Sequence, residues 1–284
     1  PEFVDFGTRS YYFRIKMKKR INTESSLSLY INRKDILETS FDEIKEIKTN
    51  DLMNTIQVDF IGEPVQDIGG GRREWFDLLI KEIFKSTNNL FVCSKESHNY
   101  QPNPLSSSIP NYLNYFKFAG KIVARVLIEG QCVDCHLTKS FYKQILHIEP
   151  DLEDLEDFDP ELYKSLKWML NNDVTPLYKV FAIENEEHQI IPLKENGEEI
   201  EVDNENKNDY VRLHSIYIMK KQIEKQLNAF IEGFNSLINK DAIDFFDAEE
   251  FDLLLCGITK IDVNDFKENT IFEHPYTKDT PVIK

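Results

Sequence analysis

Residues 159–173 constrain the fold more tightly than any other stretch of the 284-residue chain. Asp159 is placed to cap the unpaired N–H groups of a first helical turn, and Pro160 suits the first helical position, where no donor is needed. Asn171, Asn172 and Asp173 end the periodic pattern, so both ends of a short helix are written in. Leu166, Met169 and Leu170 supply one buried face, while Leu162, Tyr163 and Trp168 carry apolar character past the stripe of about 100° that one face requires. Such a helix is either buried on two sides or built to touch a partner.

The remaining periodicities predict a mainly helical chain with a few short strands between helices, an α+β fold. Residues 56–60 alternate as a half-buried strand, and Gly69, Gly70 and Gly71 form a steric turn into a helix over 73–84. Phe76, Leu79, Ile80, Ile83 and Phe84 give that helix one clean apolar face. A phosphate-cradling role for the glycines is disfavoured, because the Lys-Ser/Thr pair that would reach the phosphates and magnesium is missing. After a proline- and serine-rich loop over 100–110, helical spacing returns over 115–129, where Gly120 permits close approach of another element.

Further along, strands are expected over 178–183 and on either side of Asn196-Gly197, a dipeptide suited to a tight hairpin turn. The longest helical pattern, over 205–237 with a break, carries Val211, Ile218, Ile223, Leu227, Phe230, Ile231 and Phe234. Asp247 and Glu250 predict a capping box opening a last helix with Phe251, Leu254 and Leu255. The basic stretch 14–20 belongs to an N-terminal helix with Tyr11, Tyr12 and Ile15. There are no internal repeats and no low-complexity linker.

A net charge of −16 argues against nucleic acid as a partner and favours a basic protein. No run approaches 18 uncharged apolar residues and no signal-peptide core opens the chain, which reads as soluble and intracellular. Cys93, Cys132, Cys135 and Cys256 follow no secreted disulfide framework and suit a reducing compartment. Cys132-x-x-Cys135 with His136 lacks the four well-spaced ligands of a structural zinc site, so the cysteines are read as small apolar core residues. The acidic run 151–157 lacks the glycine of a calcium loop and is read as a solvated turn or loop. No metal and no cofactor are expected.

Several ordered blocks spread over nearly the whole chain resemble the core of the HECT-type ubiquitin ligases. They include Phe60 to Pro64, Gly69-Gly70-Gly71-Arg72-Arg73-Glu74-Trp75-Phe76, Asn114-Tyr115-Phe116-Lys117-Phe118-Ala119-Gly120 and Thr138-Lys139-Ser140-Phe141-Tyr142-Lys143. The series continues through 159–173, Leu193-Lys194-Glu195-Asn196-Gly197, 206–211 and Phe251-Asp252-Leu253-Leu254-Leu255-Cys256-Gly257, ending near 262–266. The resemblance implies the N-terminal lobe of a HECT domain. Its large helical subdomain would comprise 10–150 plus 228–256, and a smaller α/β subdomain, 151–227, would receive a ubiquitin-conjugating enzyme. Gly257, Ile258, Thr259 and Lys260 would form a hinge, 261–284 the start of a C-terminal lobe, and 1–9 a leader in which Pro1-Glu2-Phe3 resembles a cloning remnant.

The family's catalytic cysteine sits in a Thr-Cys-Phe-like motif of the C-terminal lobe. No such motif occurs here, so the resemblance puts that cysteine beyond Lys284 and implies an inactive fragment of a ubiquitin-protein transferase. It maps a conjugating-enzyme groove onto Leu162, Leu166, Leu177, Lys179, Tyr210 and His214, with Trp168 and Tyr178 at its rim. Lys179 and His214 are more polar than the family's usual apolar or aromatic residues at those positions. A further ubiquitin-holding surface, seen in some members, would fall around Leu90, Phe91, Tyr100 and Gln101. Implied partners are the conjugating enzyme, ubiquitin and a protein substrate bound outside this chain, in the cytoplasm or nucleus. The alternatives are a degenerate HECT-like scaffold and an acidic adaptor for basic proteins.

Overall fold

Two helices set the frame of the molecule by packing closely through glycines that face each other's backbone. The structure, a computed structural model, describes residues 4–63, 70–185, 187–257 and 270–271. In chain order the first elements are α1 (Phe6–Lys18), β1 (Asn22–Ile31), α2 (Ile36–Lys45), β2 (Asn54–Phe60) and α3 (Gly70–Ile83). There follow β3 (Phe91–Cys93), β4 (Tyr100–Pro102), α4 (Tyr112–Glu129), α5 (Lys139–Ile145), α6 (Pro160–Asn171), β5 (Ala182–Glu184) and β6 (Ile190–Pro192). The last helices are α7 (Lys207–Met219), α8 (Glu224–Leu237) and α9 (Ala248–Cys256). The fold is mainly α within an α+β class, and no helix among the described residues is long and apolar enough to cross a membrane.

The α4–α8 pair carries the most extensive helix contact. An added Cβ at Gly120 would lie 2.0 Å from the Phe230 carbonyl oxygen, and one at Gly233 only 1.9 Å from that of Lys117. Glycine is therefore required at both positions for the backbones to meet. Around this seam the large apolar cluster gathers Trp75, Phe76, Phe91, Phe116, Phe141, Phe234 and Phe251, all within 1% of full burial. The Trp75 indole, though buried, donates to Ser40 Oγ at 2.9 Å, so its polar edge is satisfied.

β1 and β2 pair in parallel through the α2 crossover, with Leu27, Leu29 and Ile31 opposite Ile56, Val58 and Phe60. β1 escaped the sequence reading because its first half is polar and exposed, and only Leu27, Leu29 and Ile31 alternate. The 100–110 segment expected as a loop contains β4 and a 3-10 turn at Pro104–Ser108.

A second, separate apolar cluster is built from Leu155, Tyr163, Leu166, Met169, Val174, Phe181, Val202, Tyr210, Val211 and Met219. It draws on the 3-10 turn Leu152–Leu155, on α6 and α7, and on the irregular chain between the two helices. Here Asn196-Gly197 is not a hairpin turn: the antiparallel β5–β6 pair is joined between Glu184 and Ile190, and Gly197 begins a 3-10 turn. Gly197 is needed instead for packing, since a Cβ there would sit 2.2 Å from the Phe181 carbonyl oxygen. The strand expected over 178–183 shortens to β5, because Tyr178 adopts a left-handed conformation that breaks the extended chain.

The break expected in the long C-terminal helical pattern falls at Lys220, where α7 ends and a 3-10 turn leads into α8. The capping box at Asp247 and Glu250 is present as expected. The acidic run is not wholly solvated: Asp154 is 1% exposed, bonds the Asp151 N–H at 2.8 Å and takes a 2.6 Å ion pair from Lys143. A buried carboxylate needs such partners, and Lys143 supplies the charge. Of the four cysteines only Cys135 is fully buried; Cys93 and Cys132 are exposed, contrary to a core reading for all of them.

Gly233→Ala should destabilise the protein by about 2 kcal/mol or more, although alanine is the better helix former, because the new methyl drives α8 off α4. Urea denaturation of the variant beside the parent protein measures this.

Candidate docking surface

Asp159 accepts a hydrogen bond from the Leu162 N–H at 2.9 Å and so starts α6 at the proline, as its sequence dictates. From there α6 turns Tyr163, Leu166 and Met169 into the smaller cluster. Trp168, on another side of the same helix, is 49% exposed. Beyond the helix, the 3-10 turn Thr175–Leu177 presents Leu177 at 40% and Tyr178 at 86% exposure. Three large apolar side chains therefore stand in solvent on one short helix-turn unit.

That unit is held by a polar clamp. Asn204 Nδ2 donates to Asp173 Oδ1 at 2.7 Å, its Oδ1 accepts from the Val174 N–H at 3.2 Å, and Lys207 Nζ donates to the Asn172 carbonyl at 2.6 Å. Asp173 also accepts from the Thr175 N–H at 3.1 Å. The Asn204 bond, followed by those from Thr175, holds the Asp173 carboxyl below the usual carboxylate range. Tyr178 at φ 49° is a left-handed non-glycine residue, a conformation that costs about 1 kcal/mol and persists only where its surroundings enforce it.

Of the positions mapped from the sequence, Leu177 and Lys179 are exposed, Leu162 and His214 are half-buried, and Leu166 and Tyr210 are 1% and 2% exposed. Leu166 and Tyr210 are thus floor beneath the surface and offer no contact area of their own. Tyr210 packs edge-on against Phe181 and His214, with ring centroids 5.5 and 5.6 Å away. His214 Nδ1 is buried and has no hydrogen-bond partner among the described residues. Burial, then the nearby Lys179 charge, pushes the imidazole down to about 4, while Asp159 opposes them weakly. Lys179, His214 and the Asp159 cap therefore sense one another at the N-terminal end of α6. Ile190 in β6, 58% exposed, escaped the sequence reading; its place beside the hairpin turn was the available signal.

The second surface expected around Leu90, Phe91, Tyr100 and Gln101 is corrected. Leu90, Phe91 and Gln101 are 3% exposed or less, and Phe91 packs inward, stacked on Phe141 and edge-on to Phe116 and Phe230. Of the expected hinge, Gly257 caps α9 with φ 78° and its N–H on the Leu253 carbonyl. Ile258, Thr259 and Lys260 lie outside the described residues.

A helical lobe bearing a smaller α/β cluster with an exposed apolar unit matches the model of the HECT-domain (ubiquitin-transferase) family over residues 77–284, and the chain belongs to that family. It is 36% identical over 296 residues to the E3 ubiquitin-protein ligase UPL1 of Arabidopsis thaliana and 36% identical over 293 residues to the human E3 ubiquitin-protein ligase NEDD4. It is 38% identical over 286 residues to the E3 ubiquitin-protein ligase RSP5 of Chaetomium thermophilum. These alignments take in 99–100% of this chain but only 8%, 22% and 35% of the respective relatives.

His214 should make the smaller cluster acid-sensitive. Its folded-state pKa lies below the ordinary 6.5, so between pH 6.5 and about 4 the unfolded chain binds the extra proton. Stability is then fully present above that window and falls as the pH drops through it. Amide exchange in α6 and α7 should accelerate across this window in the parent protein, by roughly tenfold more than in His214→Phe.

Proposed function

We propose that this chain is the conjugating-enzyme-docking lobe of a HECT ubiquitin ligase, with the smaller cluster of residues 151–227 as the docking subdomain. Residues 10–150 and 228–256 would then be the large subdomain, and 257–260 the hinge toward a catalytic lobe. The observation that carries the reading is the exposed trio Trp168, Leu177 and Tyr178 on a hydrogen-bonded frame. Rigid, exposed aromatic and aliphatic side chains are the usual anchors of protein interfaces, because little conformational freedom is lost when they are covered.

In this reading a conjugating enzyme bearing ubiquitin as a thioester seats an apolar loop against Leu177, Tyr178 and the exposed edge of Leu162, above the floor made by Leu166 and Tyr210. The ligase cysteine of the second lobe attacks the ubiquitin thioester, and a substrate lysine then attacks the new thioester. The lobe described here contributes position: holding the two thiols near each other turns an encounter between separate molecules into a nearly intramolecular exchange. Lys179 and His214 add polar character to the groove, which favours an acidic or hydrogen-bonding residue on the docking loop. The four free cysteines suit a cytoplasmic or nuclear setting, and the net charge of −16 disfavours nucleic acid.

Titration of this chain against a panel of ubiquitin-conjugating enzymes tests the proposal. Saturable binding to a subset, weakened about tenfold or more by Leu177→Glu and by Tyr178→Ala with the fold retained, is the expected outcome. Leu166→Glu should abolish binding only by unfolding the smaller cluster, seen as lost helical dichroism, since it buries a charge. Absence of binding across the panel by the folded parent protein would instead favour a scaffold that has lost this role.

A further inference from the structure

A group of metal-ligand side chains lies outside the exposed docking unit, beside the end of α9. A ring nitrogen of His136, a carboxylate oxygen of Asp252 and Cys256 Sγ all lie within 4.8 Å of one another. The three are half-buried, and Asp252 and Cys256 stand four residues apart on one face of α9. The loop carrying His136 is pinned on both sides: Val133 donates to the Leu255 carbonyl at 3.1 Å, and Tyr100 to the His136 carbonyl at 2.8 Å.

We propose that His136, Asp252 and Cys256 form a binding site for a zinc-like divalent cation. An imidazole, a thiolate and a carboxylate suit a borderline-soft cation and disfavour magnesium or calcium, which take oxygen ligands. Tetrahedral zinc holds its ligand atoms roughly 3.3–3.7 Å apart. His136 Nδ1 is 2.8 Å from Asp252 Oδ1 and 3.0 Å from Oδ2, so the cation enters by opening this one hydrogen bond a few tenths of an ångström and drawing Cys256 inward.

The neighbours are those of an oriented ligand set. The Tyr142 hydroxyl donates to Asp252 Oδ1 at 2.7 Å, leaves Oδ2 for the metal and lies 3.8 Å from Cys256 Sγ. A cleft of about 590 Å³ leads to the site from solvent, lined by His136, Tyr142 and Asp252 together with Glu153, Glu156, Asp157 and Glu249, with Lys139 the one lysine or arginine among the described lining residues. That excess of carboxylates draws cations in, and water from the cleft completes the coordination.

On binding, Nδ1 gives up the proton it shares with Asp252, leaving a neutral imidazole protonated on Nε2, and the Cys256 thiol releases its proton to solvent. Cation, thiolate and carboxylate then sum to no net charge. The bound ion ties the 131–138 loop to the last turn of α9, one residue before Gly257.

Cobalt(II) titration of the folded, reduced chain reads the site directly. The expected result is one saturable equivalent with tetrahedral visible bands and a thiolate-to-cobalt charge-transfer band, both displaced by zinc. Cys256→Ser should remove the charge-transfer band, and His136→Gln should weaken binding by about tenfold or more. Cys93→Ser and Cys132→Ser should keep the bands. Circular dichroism establishes that each variant is folded; should Cys256→Ser unfold, the exposed-edge variant His136→Gln decides alone. The proposal fails if the parent protein gives no saturable band, if the charge-transfer band survives in folded Cys256→Ser, if His136→Gln binds as the parent does, or if Cys132→Ser removes the band.

Discussion

The glycine-to-backbone contact between α4 and α8 is the constraint on which the remaining architecture rests. Gly120 lets α4 meet the Phe230 carbonyl, and Gly233 lets α8 meet that of Lys117, so each helix supplies the gap that the other fills. The two glycines are 113 positions apart in the chain, and the segment between them must therefore leave the large cluster after α5 and return at α8. That excursion is what builds the smaller cluster and displays the α6 unit. Gln144 Nε2, donating to the Met219 carbonyl at 3.0 Å, ties the excursion back near its return.

Within the smaller cluster the division of labour is between floor and surface. Leu166, Tyr210 and Phe181 are buried and hold the shape, whereas Trp168, Leu177 and Tyr178 remain in solvent at some cost in hydrophobic free energy. The Asp173–Asn204 clamp and the Lys207 bond keep the exposed residues from collapsing onto the core. His214, with a buried and unpartnered nitrogen, is a weak point in this arrangement that protonation makes worse.

Much of this was legible beforehand wherever the cause is local. The Asp159 cap, the Pro160 start and the Asp247–Glu250 capping box depend on atoms three residues apart, and all formed as read. The break near Lys220 was likewise visible in the interrupted apolar spacing. Where sequence reasoning failed, a distant neighbour intervened. Asn196-Gly197 has the composition of a hairpin turn, yet Gly197 is there to clear Phe181. Leu90 and Phe91 look no different in sequence from the exposed Leu177 and Tyr178, but both are buried, and β3 turns Phe91 onto Phe116 and Phe230.

The sequence by itself determined the helical α+β class, the caps and breaks of the principal helices and the family, because these follow from side-chain spacing, short-range hydrogen bonds and motif order. Only the tertiary structure decided which leucines and aromatics remain exposed and which become floor. It alone brought His136 to Asp252 and Cys256, since 116 positions separate the first two and no local rule sets their distance. Periodicity tells a residue which face of its own element it occupies; what covers that face depends on how the chain returns upon itself, and that is a property of the packed whole.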